Sequence, residues 1–178
     1  MNDTQTSFEE RARAVRMIVF DIDGVLTDGS LFYGDDGQEY KAFNSRDGHG
    51  IKMLRASGVE AGIITGRTSQ VVLHRARNLG ITRIFQGADD KLEAFEALLR
   101  DQGLQPRQIA YMGDDLVDLP VLRRCGLALT VPDAPAEVKA RCHFTTQAGA
   151  GRGAAREACE LIMRAQGTWA AQLALYDR

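Results

Sequence analysis

The sequence predicts an α/β fold, a doubly wound parallel sheet with helices on both faces. Three observations carry that expectation. Short apolar runs recur along the chain, most end in a polar cluster, and helical periodicity fills the intervals between them. Runs that are apolar throughout suit strands buried on both faces, as parallel sheets require. A length of 178 residues suits one domain around a single core.

In chain order, a charged N-terminal segment leads to an apolar run over residues 17–22 that ends in acid, the first strand. Residues 30–43 hold SLFY and EYKAF on either side of Gly34-Asp35-Asp36-Gly37. Aromatic-rich runs around a DG turn signal a hairpin. Residues 47–56 carry Ile51, Met53 and Leu54 at helical spacing, with Met53 and Met112 both read as core. A strand over 59–65 stops at Gly66, and a helix over 69–79 leads to a third strand over 81–85. Leu92, Phe95, Leu98 and Leu99 mark a helix over 91–99. Pro106 interrupts the chain before a strand over 109–112; a short helix over 116–124 and a strand over 127–131 follow. Phe144 suits one more short strand, and the Gly-rich AGAGRGAARE opens a final helix running to about residue 175.

Lys and Arg number 22 against 24 Asp and Glu, a net charge of −2. That balance offers no electrostatic footing for nucleic acid or an anionic membrane. A hydrophobic share of 44% with 26% charged residues argues against disorder. Cys125, Cys142 and Cys159 are odd in number and form no CxxC pair. This argues against a disulfide framework or a thiolate zinc site and suits a reducing compartment. The opening MNDTQTSFEERARAVR is too polar for a secretory signal, and no apolar run approaches the ~18 residues of a membrane span. A cytoplasmic location is expected.

Four polar features follow predicted strands, where ligands bind in doubly wound sheets. Asp21 and Asp23 flank Ile22 behind the apolar MIVF. Two carboxylates at a strand exit repel each other unless a cation neutralises them, and hard oxygen donors favour magnesium over zinc. Thr65-Gly66-Arg67 offers a hydroxyl, a free amide and a guanidinium to a phosphoryl group. Lys91 opens a helix, where a cation opposes the helix dipole and therefore answers to another charge. Asp114, Asp115 and Asp118 follow IAYM. Singly, each has an ordinary alternative as a helix cap, a turn or a solvated charge. Together, and in this order, they point to one phosphate site.

These motifs resemble those of the haloacid dehalogenase-like phosphohydrolases: Asp21/Asp23, Thr65, Lys91 and Asp114/Asp118 fall in the family's order. DGVLTDG, RDGHGI, ITGR, GDDLVDLPV and GRGAARE further resemble its 3-deoxy-D-manno-octulosonate 8-phosphate phosphatase family, apart from Ala150 where glycine is usual. The resemblance implies a Rossmann-like haloacid dehalogenase fold and hydrolysis of that acidic sugar phosphate for lipopolysaccharide precursors. Asp21 would be the nucleophile and Asp23 the general acid and base, with Thr65 and Lys91 stabilising charge. Mg²⁺ would be held by Asp21, Asp23 and Asp114, with Asp115 and Asp118 behind them. Arg46, Gly66, Arg67 and Arg152 are expected to bind substrate, and Arg75 to be a solvated or interface residue.

The intervals from Thr27 to Thr65 and from Thr65 to Lys91 are too short to hold a folded cap. One capless domain over 1–178 is therefore expected, with a hairpin insertion over 29–44 and a Gly-rich segment plus C-terminal helix over 148–178. An open site with a surplus aromatic hairpin suits closure by another subunit, expected as a homotetramer in which Arg152 reaches a neighbouring site. The rival readings are a phosphatase for a nine-carbon acidic sugar, a phosphomutase and a non-catalytic oligomerisation module.

Overall fold

The computed structural model describes residues 7–178. The reading of the N-terminus as non-secretory rests partly on residues 1–6, which lie outside the described residues.

Six strands form one parallel sheet: β1 (Met17–Phe20), β4 (Glu60–Ile64), β5 (Arg83–Phe85), β6 (Ile109–Met112), β7 (Leu127–Thr130) and β8 (Phe144–Thr145). Their spatial order is β5-β4-β1-β6-β7-β8. Every residue of β1, β6 and β7 is buried, as expected for strands covered on both faces. Ile18, Phe20, Ile63, Ile64, Tyr111 and Leu129 lie at the centre of the core. The predicted hairpin is β2 (Phe32–Tyr33) paired antiparallel with β3 (Glu39–Tyr40), with Phe32 opposite Tyr40. The Gly37 amide donates to the Gly34 carbonyl across the turn at 2.8 Å.

Helices α2 (Ser45–Ala56), α3 (Gln70–Leu79), α4 (Lys91–Gln102), α5 (Leu119–Leu122), α6 (Ala136–Lys139) and α7 (Ala154–Ala165) complete the layers. The buried face of α7 is Ala158, Cys159, Ile162 and Met163. Its N-terminus is held by a carboxylate from α2: Asp47 Oδ2 accepts from the Gly153 amide at 3.2 Å and Oδ1 from the Arg156 amide at 2.8 Å. Asp47 thus satisfies amides that a helix start leaves unpaired.

Three elements differ from the sequence expectation, the first being α6, which fills the interval left without an element between the strand over 127–131 and Phe144. The charged N-terminal segment contains α1 (Phe8–Ala14), whose entry is a capping box between Ser7 and Glu10. It buries only Ala12, so its periodic signal is weak. The final helix is two: Gly167 at φ +73° ends α7, and α8 (Trp169–Ala174) follows. Met53 and Met112 are core residues as expected. Among the described residues, no helix is long and apolar enough to cross a membrane.

Candidate active site

β1 has β4 on one side and β6 on the other, so the chain changes winding direction beside it. A crevice opens at the carboxyl ends of strands at such a point. Asp21 leaves β1 with its amide donating to the Met112 carbonyl at the end of β6, at 3.0 Å. Thr65 follows β4, its amide donating to Phe85 at 2.9 Å, and Asp114 follows β6. Lys91 is the first residue of α4 because Asp90 caps that helix through the Leu92 amide at 2.9 Å. These residues, with Asp23, Gly66, Arg67 and Asp115, line one cavity of about 320 Å³.

At its floor Lys91 is 4% exposed and bridges two acids, with Nζ 2.9 Å from Asp21 Oδ2 and 2.7 Å from Asp118 Oδ1. Asp118 also accepts from the Tyr111 hydroxyl at 2.6 Å and from the amides of Asp114 and Asp115 at 3.0 and 3.1 Å. With both oxygens so engaged, Asp118 positions Lys91 and the Asp114 loop.

Oxygens of Asp21, Asp114 and Asp118 lie within 4.8 Å of one another. Three carboxylates around one lysine leave two negative charges in excess. Burial first, then the charges of Asp21 and Asp118, push the Asp114 carboxyl up to about 7. Burial and the Asp118 charge raise Asp21 to about 6 despite Lys91. Burial alone would lower Lys91, but Asp21 and Asp118 outweigh it and hold its pKa above the ordinary value. Asp114 Oδ1 is buried with no hydrogen-bond partner, a costly state that a cation would relieve. Gly24, at φ +89°, lets the chain pass against that carboxylate; a Cβ there would overlap it. An all-oxygen, doubly negative, unsatisfied pocket fits a hard divalent ion.

Beside this floor, Asp23 is bound by the hairpin. Lys41 Nζ lies 2.5 Å from Asp23 Oδ1 and 3.1 Å from Glu39 Oε1, and the lysine side chain is 1% exposed. Arg67 Nε approaches Asp23 Oδ2 at 3.8 Å, and Arg67 is hydrogen-bonded to the Tyr33 hydroxyl.

The haloacid dehalogenase-like hydrolase model matches residues 37–126. A 3-deoxy-D-manno-octulosonate 8-phosphate phosphatase from Yersinia pestis is 46% identical over 157 residues, covering 88% of this chain and 84% of that protein. The chain belongs to the haloacid dehalogenase-like hydrolases, in the 3-deoxy-D-manno-octulosonate 8-phosphate phosphatase family. Solved structures of the fold agree. A probable YrbI family phosphatase from Pseudomonas syringae pv. phaseolica superposes with TM-score 0.94 at 50% identity, covering 96% of this chain and 97% of that one. A family phosphatase from Moraxella catarrhalis, in complex with magnesium, phosphate and a KDO molecule, superposes with TM-score 0.93 at 40% identity, covering 95% and 97%.

Of the residues that the family motifs singled out, Asp21, Asp23, Thr65, Gly66, Arg67, Lys91, Asp114 and Asp115 line the cavity, and Asp118 lies directly beneath it. Arg46 and Arg152 do not line it within one chain. Both are exposed near the start of α7, where the Gly-rich segment docks on its own subunit through the Gly151 amide to Val25 at 3.0 Å. Arg75, expected to be solvated or at an interface, is half-buried against the Phe43 ring, and its Nη2 donates to the Asn44 carbonyl at 3.0 Å. It ties α3 to the start of α2.

Sequence reasoning missed Tyr111, Glu39 and Lys41. A phenol in an otherwise apolar strand signals a buried hydrogen bond. Glu39 and Lys41 share one side of a two-residue repeat with Tyr40 on the other, a usable signal that they face inward together.

Proposed function

We propose that the protein is a magnesium-dependent phosphatase that hydrolyses 3-deoxy-D-manno-octulosonate 8-phosphate to the free sugar acid and phosphate, in lipopolysaccharide precursor synthesis. The observation that carries this reading is the convergence of Asp21, Lys91 and Asp114 at the switch point, in a chain of this family. The intact set of carboxylates disfavours a non-catalytic module, and no comparison favours a nine-carbon substrate.

Asp21 is placed to attack phosphorus. Its Oδ1 is aligned by the Ile22 amide at 2.7 Å and its Oδ2 by Lys91. As the bond from phosphorus to the sugar oxygen breaks, Asp23 gives its proton to that oxygen, and the phosphoryl group rests on Asp21 as an acyl phosphate. Asp23 then takes a proton from water, which attacks phosphorus, frees Asp21 and releases phosphate. Thr65, the Gly66 amide and Lys91 neutralise the phosphoryl oxygens, where most phosphoryl-transfer catalysis lies. A magnesium ion held by the side chains of Asp21 and Asp114 and the Asp23 backbone carbonyl would supply the charge that lets two anions approach. Asp115 and Asp118 keep the ligand loop and Lys91 in place.

The chain is read as one domain without a cap. Between Thr27 and Thr65 lie only β2, β3, α2 and β4, and between Thr65 and Lys91 only α3 and β5. The cavity therefore stays open on the hairpin side, and Leu31, Phe32, Tyr33 and Tyr40 are about half exposed beside it. That apolar surface supports a homotetramer in which hairpins close neighbouring sites. In such an assembly Arg46 and Arg152 are the arginines available for the sugar carboxylate. A cytoplasmic location accords with three unpaired cysteines, of which Cys125 and Cys142 have thiols pushed by burial up to about 12.

Phosphate release from a panel of acidic and neutral sugar phosphates, with magnesium and with excess chelator, tests the reading. The eight-carbon acid phosphate is expected to be turned over fastest, with magnesium restoring the chelated enzyme. Faster release from neutral hexose phosphates, or full activity in chelator, would overturn it.

A further inference from the structure

The nucleophile cluster accounts for every charged group on the floor of the site, but not for the lysine buried at the hairpin's return. We infer that Lys41 is the positioning residue for Asp23, holding one carboxylate oxygen so that the other meets the leaving-group oxygen. The inference rests on Asp23 as the general acid of the proposed reaction.

The geometry is specific. Lys41 Nζ lies 2.5 Å from Asp23 Oδ1, while Arg67 stands 3.8 Å from Oδ2 on the cavity side. Each oxygen of Asp23 thus faces a cation from a different element, one sealed off and one exposed. An ammonium that is 1% exposed is costly unless paired and hydrogen-bonded, and an apolar side chain would close the hairpin base at less cost. Glu39 shares the ammonium at 3.1 Å, which gives the lysine a second anchor on the strand that precedes it. Glu39 in β3 and Lys41, the residue after its end, face inward, while Tyr40 between them faces outward at 54% exposure.

In the first chemical step Asp23 loses its proton to the sugar oxygen as the phosphorus–oxygen bond breaks, and Lys41 keeps all of its own. Its contribution is orientation, because a small misplacement of a proton donor costs as much as about 10²-fold in rate. The same contact links the hairpin directly to the acid.

The test uses Lys41→Met, Lys41→Gln, Lys41→Arg, Asp23→Asn and the Lys41→Met/Asp23→Asn double variant, all in magnesium. Each is assayed on an alkyl sugar phosphate and on 4-nitrophenyl phosphate, whose leaving group needs no proton. Lys41→Met is expected to lower kcat on the alkyl ester about 10–100-fold with little change in KM, within the range of acid catalysis. Its loss on the aryl ester should be at least tenfold smaller, and Lys41→Arg should recover most of the activity. In the Asp23→Asn background, Lys41→Met should add less than about twofold, since both changes remove one function. Lys41→Gln removes the charge but keeps a polar end on the side chain, and it gives the same comparison if the methionine variant melts early. Equal losses on both esters, or a full Lys41 effect without Asp23, would overturn the inference. An enzyme that hydrolyses other alkyl phosphates but not the eight-carbon acid would instead sink the substrate assignment, and this comparison would still decide the role of Lys41.

Discussion

Around Asp21, the polar contacts come from strand ends and from the helices those strands lead into: the Met112 carbonyl, the Ile22 amide and Lys91. Around Asp23 they come from a two-stranded hairpin and an arginine that is 44% exposed. The side chain of the first carboxylate is 9% exposed and follows a strand that is buried throughout. The second is 20% exposed on its side chain and depends on a segment whose outer face is apolar and uncovered in the single chain. The difference matches the proposed chemistry. A nucleophile must meet phosphorus along one line, and preorganisation there is worth most. A proton donor must also admit and release a whole sugar, so its support is better placed on an element that can adjust.

The largest expected effect is at the strand-end carboxylate. Asp21→Asn keeps the shape but removes the attacking charge, and kcat should fall by at least about 10⁴-fold with the circular dichroism spectrum unchanged. Retention of more than a hundredth of wild-type turnover by a clean preparation would remove Asp21 from the reaction. Next comes the buried support. Asp118→Ala leaves the Tyr111 hydroxyl and the Asp114 and Asp115 amides without their acceptor and the Lys91 ammonium with Asp21 alone, and thermal unfolding should register a loss of about 1–3 kcal/mol. A loss below about 0.5 kcal/mol, within the range of ordinary surface changes, would mean that the floor is not preorganised by Asp118.

The excess of acid on the floor gives a pH signature. Asp114 and Asp21 hold protons up to about 7 and 6, above the ordinary carboxylate range. The folded, metal-free protein therefore binds protons that the unfolded chain has released, and it loses stability as pH rises through that window. Magnesium favours the ionised carboxylates and reverses the trend. Melting scans with magnesium or chelator should show a larger magnesium shift above pH 7 than below pH 6. An equal shift at both ends would detach the metal from these carboxylates. The smallest effect on the single chain belongs to the hairpin. Phe32→Ser with Tyr40→Ser should change subunit stability by about 0.5 kcal/mol or less, yet lower the mass measured by light scattering if the hairpins join copies. An unchanged tetramer, or a monomer in the wild type, would show that the aromatic surface does something else.

Much of the site is legible in the sequence, because Asp21, Thr65 and Asp114 each lie just after an apolar run and a parallel sheet delivers strand ends to one edge. That is why Asp21, Thr65 and Asp114 converge although 93 residues separate the first from the last. Lys91 was legible as a cation at a helix start with no local reason to be there. The N-terminal helix was not, since one buried alanine leaves little periodicity to read. Nor was the break at Gly167, because one glycine in a helical pattern is as easily tolerated as it is obeyed.

By itself, the sequence determined the strand-and-helix alternation, the order of the motifs and the family, because these depend on local patterning and on residue types. Only the tertiary structure decided what each charged group answers to. Asp118 could have been read as one more metal ligand, but four donors converging from α4, β6 and its own loop consume both of its oxygens. Lys41 could have been a solvated strand residue, but the hairpin folds it against Asp23, 18 residues earlier. Arg46 and Arg152 could have lined the cavity, but the first sits at the start of α2 and the second on the Gly-rich segment docked on Val25 and Asp47, and both stand away from it. Charge pairing acts over a few ångströms of space and is blind to sequence distance, so it is settled only when the chain closes.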